Sequence, residues 1–372
     1  MIERAAPRIM KKTRVLVLFG GRSAEHEVSV VSARSVCAAI DRERYDVVLA
    51  GITREGHWLL DDGDEKLLSA TSVTSGDWPE VRLAGRGSQL VAAQDSPIPG
   101  AGFDVVFPLL HGPYGEDGTI QGLLELANVA YVGAGVSASA AGMDKALARA
   151  VFRSAGLSQT DYTVLRRSEW RGHPEAVLAT LEQTFDYPLF VKPVNLGSSV
   201  GITKAHNSGQ LSNGLNLAAK FDTKMMIEAS VEGARELECA VLGNDEPLAS
   251  GVGEIIPGAE FYDYNTKYID DRSELRIPAD LDENLTSAVR TMAVRAFQAI
   301  DCSGLARVDF LLRPGGDVLI NEINTMPGFT PISMYPKLWQ AEGLSYADLI
   351  DRLIGLAIER CSDRSDLRTK PD

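Results

Sequence analysis

Residues 15–19 form an apolar run that stops at Gly20 and Gly21, and beyond it Val28, Val31, Val36 and Ile40 recur at the spacing of one helix face. The pattern predicts a strand, a glycine turn and a helix. Apolar runs at 45–52 and 103–110 predict two further strands, the second leading through the loop HGPYGEDG into a helix over 121–127. Strands apolar throughout, interleaved with helices, predict an open parallel sheet covered on its faces. Residues 61–100, rich in Asp, Ser, Gly and Pro, read as an irregular antiparallel insertion.

From Met143 the pattern changes. MDKALARAVFRSAG predicts a helix, residues 162–165 a strand, then come another helix, the strand PLFVKP and a glycine-rich hairpin at NLGSSVGITKA. Short apolar or alternating runs at 225–228, 236–242, 252–256, 306–312 and 318–323 predict five more strands. The second half therefore reads as an antiparallel sheet with packed helices. No internal repeat or low-complexity tract breaks the 372 residues, which favours one long structured enzyme over a string of modules.

With 45% hydrophobic and 24% charged residues, the chain has apolar material for a large core in two or three units. Acidic side chains outnumber basic ones 51 to 37, and no Lys/Arg block is available to a phosphate backbone, so no nucleic-acid partner is expected. The basic opening MIERAAPRIMKKTR precedes only five apolar residues, VLVLF, too short for a signal-peptide core or a membrane span. Cys37, Cys239, Cys302 and Cys361 lie far apart, without a CxxC pair or a His at zinc-ligand spacing, and read as reduced thiols of a cytoplasmic protein.

Two stretches carry candidate chemistry. In ARVDFLLRPGGDVLINEINTMPGFT, Asp309 falls on one strand and Glu322 and Asn324 on the next, across a PGGD turn. Glu322 and Asn324, two apart, share a face, and two carboxylates with an amide oxygen make a hard oxygen site suited to magnesium and phosphate. A hairpin whose polar face is simply wet fits the same residues. Arg307, on the side of Asp309, reads either as an anion clamp or as a surface salt bridge. In FVKPVNLGSSVG, Lys192 ends an apolar strand, and Gly197, Ser198, Ser199 and Gly201 follow in a loop whose amides and hydroxyls can approach phosphate. Glycine-serine turns are common, and the stretch is neither a Walker loop nor a GxGxxG after a first strand. It gains weight from the lysine and the acidic face downstream.

GGRSAEHEVS, LHGPYGEDGTIQG, MDK, VKPVNLGSSVG, FYDYNTKY, RVDF and NEINTMPGFT occur in the order found in D-alanine:D-alanine ligases. Through these motifs nearly the whole chain resembles that family, particularly its longer subgroup with endings such as PISMYPKLWQ. The resemblance implies an α/β and α+β architecture: a Rossmann-like N-terminal (pre-ATP-grasp) domain over 1–135, then a two-part ATP-grasp fold over 136–229 and 230–372. It implies ATP-dependent joining of two D-alanines for peptidoglycan, with Mg2+ as two ions for which Mn2+ substitutes, and a homodimer formed through the first unit.

Residue by residue, the resemblance implies that Glu25 holds the ammonium of the first D-alanine, with Val28 against its methyl and His111 nearby. Lys145 and Lys192 would reach the phosphates, with Ser199 positioning them, while Glu228 and Glu236 would contact adenine and ribose beside backbone contacts from Val231. Asp309, Glu322 and Asn324 would hold the metal. Lys267 would steady the transferred phosphoryl group and Tyr268 would link through Ser198 to Glu25. Arg307 and the Gly328 amide would stabilise an oxyanion, a role that assigns conformational freedom to Gly328. Ser333, the Met334 backbone and Lys267 would hold the carboxylate of the second D-alanine. His26 has no matched role and reads as a solvent-facing helix residue. His57, His173 and His206 read as structural or exposed. Relatives that make the ester D-alanyl-D-lactate carry a different residue at the position of Tyr268. The rivals are thus a D-lactate ligase, another ATP-grasp carboxylate-amine ligase, or a nucleotide-binding regulator on the same fold.

Overall fold

A strand that is apolar on both faces is stable only between neighbours, and β1 (Thr13–Gly20) is one, with Val15 to Phe19 wholly buried. The computed structural model describes residues 11–61, 63–85, 87–92, 96–256 and 274–368. After β1 come α1 (His26–Ala39), β2 (Tyr45–Ile52), β3 (Trp58–Leu60), α2 (Lys66–Ser69), β4 (Glu80–Leu83), β5 (Gln89–Ala92), β6 (Pro97–Gly102), β7 (Val105–Pro108), α3 (Thr119–Leu126) and β8 (Ala130–Tyr131). They form one sheet in the order β6-β5-β4-β3-β2-β1-β7-β8. The stretch β2-β1-β7-β8 is parallel, as the apolar runs predict, while β3 to β6 extend it as antiparallel neighbours.

The helix expected from Met143 is α5 (Lys145–Ser154), and a further helix, α4 (Val136–Met143), precedes it. Asp144 leaves the helical conformation between them and caps α5 by accepting from the Leu147 amide. The single antiparallel sheet expected for the second half is also two sheets. The first comprises β9 (Tyr162–Arg166), β10 (Leu189–Pro193), β11 (Thr203–Ala205) and β12 (Lys224–Ala229), in the order β11-β10-β12-β9, with α6 (Arg167–Gly172), α7 (Pro174–Thr184) and α8 (Ser208–Phe221). The second comprises β13 (Arg235–Gly243), β14 (Leu248–Ile256), β15 (Glu274–Arg276), β16 (Gly304–Leu312) and β17 (Val318–Asn324), in the order β15-β14-β13-β16-β17. With it stand α9 (Glu283–Ala299), α10 (Met334–Ala341) and α11 (Tyr346–Ser365). Alternation in a sequence marks a strand without naming its partner. Here each sheet closes a separate core, Leu189, Val191 and Ile227 under α8, and Cys239, Val308 and Phe310 under α9. Helices α4 and α5 place Ala138, Ala148 and Phe152 in the second of these cores.

The chain also returns to its beginning. Phe329 packs edge-on against Phe107 of β7 at 5.5 Å and stacks on Tyr346 of α11 at 6.4 Å, inside a core shared with β1 and α1. His26 corrects its sequence reading: it is wholly buried, its Nδ1–H donating to the Gly21 carbonyl at 2.8 Å and its Nε2 accepting from the Val73 amide at 2.9 Å. That pair of bonds fixes a neutral tautomer and ties the glycine turn to the loop after α2. The His26 side of α1 faces this loop rather than water.

Truncating Phe329 to alanine removes the ring that joins the first and last units. Phe329→Ala is expected to cost about 3 to 5 kcal/mol in urea unfolding, and a loss under 1 kcal/mol would show that the two units do not share this core.

Candidate functional site

The glycine turn after β1 delivers Glu25 to the N-cap of α1, where it is 8% exposed. Ser198, from the loop between β10 and β11, donates its hydroxyl to the Glu25 carboxylate. Two glycines make room for this meeting. A Cβ on Gly112 would lie 2.8 Å from Glu25 Oε2 with φ at +76°, and one on Gly197 would lie 3.2 Å from it. Ser198 and Ser199 both hold left-handed conformations, φ 49° and 57°, a strained pairing for non-glycine residues. Val28 is buried one turn along α1. His111 Nδ1 donates to the Met326 carbonyl at 3.1 Å and lies 3.4 Å from Glu116, while its Nε2 stands 3.0 Å from Ser32 Oγ.

Beside this pocket, a cavity of about 410 Å³ opens between the four-stranded and five-stranded sheets. Lys145, Lys192, Ser199, Glu228, Val231 and Glu236, the six residues matched to nucleotide binding, all line it. Lys145, in the first turn of α5, donates to the Leu196 carbonyl at 2.7 Å and lies 3.4 Å from Glu322. Glu228 is buried between the cations of Lys192 and Arg149. Burial alone would raise its carboxyl pKa, but the two cations overcome that and hold it below the usual carboxylate range.

The third component is an acidic face on the five-stranded sheet. Across the β16–β17 hairpin, Asp309 is the register partner of Glu322 and Arg307 of Asn324, which puts two carboxylates and an amide on one patch. Both Asp309 oxygens accept from Arg307 at 2.7 Å, Glu238 lies 3.0 Å from the same guanidinium, and Asn324 Oδ1 accepts from the Met326 amide at 2.9 Å. Burial opposes the Arg307 charge, yet Asp309 and Glu238 raise its pKa well above the ordinary value. Two carboxylates and an amide oxygen on one patch are the donor chemistry of a hard divalent cation. Among the described residues no three His, Cys, Asp or Glu side chains form a metal cluster. Asn324, an amide, is not a side chain of those types.

Where the chain leaves β17, a Cβ on Gly328 would lie 2.7 Å from Ser333 Oγ. Gly328 does not adopt a left-handed φ, so what the structure shows there is close approach to a hydroxyl rather than use of glycine's conformational freedom. Ser333 accepts from the Thr330 amide at 3.0 Å and precedes Met334 at the start of α10. Lys267 and Tyr268 lie outside the described residues.

Leu196 and Gly197 border the Glu25 pocket, the cavity between the sheets, and a small cleft formed by Glu322, Asn324 and Glu116. The three compartments therefore meet at one stretch of backbone. The sequence reading missed Arg149, Glu116 and Glu238. An arginine on a helix reads as surface, and the two glutamates gain significance only through partners 5 and 69 positions away, His111 and Arg307.

Residues 14–134 match the D-ala D-ala ligase N-terminus and residues 151–355 the D-ala D-ala ligase C-terminus. The chain is 50% identical to the D-alanine–D-alanine ligase of Acetivibrio thermocellus, over 95% of this chain and 97% of that one. It is 48% identical to that of Chloroherpeton thalassium, over 95% and 99%. Among solved structures it resembles the D-alanine-D-alanine ligase from Coxiella burnetii (37% identity, TM-score 0.82, 95% and 97% covered). It also resembles the VanG D-Ala:D-Ser ligase from Enterococcus faecalis (36%, 0.83, 93% and 100%). The three meeting compartments and these likenesses lead to one conclusion: the chain belongs to the D-Ala–D-Ala ligase family.

Proposed function

We propose that the chain condenses two D-alanines into D-alanyl-D-alanine with ATP, forming a D-alanyl phosphate on the way, and that the dipeptide feeds peptidoglycan synthesis. The observation that carries this reading is the Leu196–Gly197 backbone shared by an amine-binding carboxylate, a cation-lined cavity and an oxygen-rich cleft. Glu25, steadied by Ser198, takes the ammonium of the first D-alanine and Val28 its methyl, which aims the substrate carboxylate toward the γ-phosphate. Lys145, Lys192 and Ser199 orient the polyphosphate, while Glu228, Val231 and Glu236 take the base and sugar. Asp309, Glu322 and Asn324 would hold Mg2+, which supplies charge neutralisation at the phosphates when bound.

The substrate carboxylate attacks the γ-phosphorus and ADP leaves. The amine of the second D-alanine, its carboxylate held by Ser333 and the Met334 backbone at the start of α10, then attacks the acyl carbon. Arg307 and the Gly328 amide face the oxyanion, and inorganic phosphate departs. Lys267 and Tyr268 enter on the family resemblance alone. The proposed units are 1–135, 136–229 and 230–372, the second lending α4 and α5 to the core of the third. A cytoplasmic homodimer completes the reading. A solved relative 36% identical to this chain is a D-Ala:D-Ser ligase, so D-serine is the acceptor to set against D-alanine.

Assays with ATP, Mg2+ and D-alanine alone, or with D-serine or D-lactate added, check both acceptor and metal face. D-alanyl-D-alanine is expected as the dominant product by mass spectrometry. Glu322→Gln is expected to lower kcat on the order of 10²-fold and to weaken Mn2+ binding measured by magnetic resonance. Turnover only with another acceptor would overturn the substrate assignment, and undiminished Mn2+ binding would overturn the metal site.

His111 and Glu116 give the site a pH dependence. Burial raises the Glu116 pKa to about 7, with His111 opposing and the Glu25 charge adding to the rise. Burial would lower the His111 pKa, but Glu116 beside it raises it instead. Glu116 holds its proton in the folded state at pH values where the unfolded chain has lost it, so its contribution to stability falls as pH rises. Glu116→Gln is therefore expected to gain stability relative to the unsubstituted protein as pH climbs from about 4.5 to about 7. Urea midpoints whose difference stays constant across that window would refute the buried-proton account.

A further inference from the structure

Arg149 lies on α5, one turn beyond Lys145, and is 2% exposed. Its guanidinium pairs with Glu228 of β12, donates to Thr160 Oγ1 at 3.2 Å and to the Ile320 carbonyl at 3.3 Å, and lies 3.5 Å from Asn321 Oδ1. One side chain thus spans a helix, the approach to β9, β12, and β17 of the other sheet. Thr160, Glu228 and Asn321 line the cavity between the sheets, whereas Arg149 stands behind them. It touches no cavity space and yet anchors three of the cavity's polar groups.

The charges favour more than a structural cross-link. Glu228 carries two cations, Arg149 and Lys192, and only Lys192 borders the cavity. A buried carboxylate left without any counter-charge is strongly destabilised. With Arg149 in place, Lys192 can leave Glu228 for an incoming anion without stranding it. Without Arg149, the Lys192 ammonium would be the carboxylate's last cation and would be retained there.

We propose that Arg149 is a positioning residue for the nucleotide. It keeps Glu228 fixed and compensated, releasing Lys192 to phosphate oxygens and presenting an acceptor to the base. This rests on the cavity being the nucleotide site. A held carboxylate accepts from the exocyclic amino group of adenine and repels the carbonyl oxygen that guanine carries there, so base choice reports on Arg149.

The test measures KM and kcat for ATP, GTP and D-alanine in the full chain and in Arg149→Met and Arg149→Lys, with ADP binding by calorimetry. Arg149→Met is expected to raise KM for ATP and to reduce the ATP-over-GTP preference, each by about tenfold, leaving the KM for D-alanine unchanged. Arg149→Lys, which keeps a cation against Glu228 but not the fork, is expected to recover part of both losses. If Arg149→Met does not fold, an ATP-over-GTP preference lowered in Arg149→Lys still supports the proposal. Unchanged ATP-over-GTP preference and ADP affinity in every variant that folds would overturn it, as would equal rises in KM for ATP and D-alanine. If the unsubstituted chain binds neither ATP nor GTP, the nucleotide reading of the cavity falls and the role of Arg149 with it, whereas equal binding of ATP and GTP overturns the base selection assigned to Glu228 and Arg149 alone.

Discussion

Charge can be buried only in company, and the junction of the three sheets is organised by that constraint. Glu228 sits between Arg149 and Lys192, Arg307 between Asp309 and Glu238, and Lys145 within 3.4 Å of Glu322. Apart from Arg307 and Asp309, which share β16, the partners come from different elements, so these pairings fix the elements' relative positions as well as neutralising charge. The apolar cores supply most of the burial, but they are separate for the two antiparallel sheets. Across the cavity these sheets meet through polar contacts, among them those of Arg149 and Glu228.

A junction made this way suits a reaction among charged reactants. Cations already satisfied by internal carboxylates can exchange partners when phosphate or carboxylate groups arrive, with a smaller change in net buried charge than an unpaired site would undergo. Such a site is preorganised without being empty of interactions.

Much of this was legible in the sequence because particular residues carry local meaning. The run from Val15 to Phe19 is a fully buried strand, the pattern at 45–52 coincides with β2, and Asp309 and Glu322 face each other across the hairpin turn they were expected to flank. The six residues matched to nucleotide contact share one cavity. What escaped was set by long-range partners. His26 reads as a polar helix residue until Val73 is seen covering it, and Arg149 as a surface cation until β12 and β17 close over it. The helix expected from Met143 begins at Lys145, because the Asp144 side chain caps it. Gly328 reads as a flexible turn residue, whereas in the structure it closely approaches the Ser333 hydroxyl, five residues on, without a left-handed φ.

The packing of Phe329 and α11 against β7, β8 and α1 has a consequence for the chain's synthesis. The first sheet leaves the ribosome early, but residues that complete its cover, from Phe329 through Ala357, arrive last. Until then the apolar side chains around Phe107 and Leu109 lack their permanent neighbours. A nascent chain of this protein therefore carries an unfinished first sheet for most of its translation, and that sheet is where protection by a chaperone would matter most.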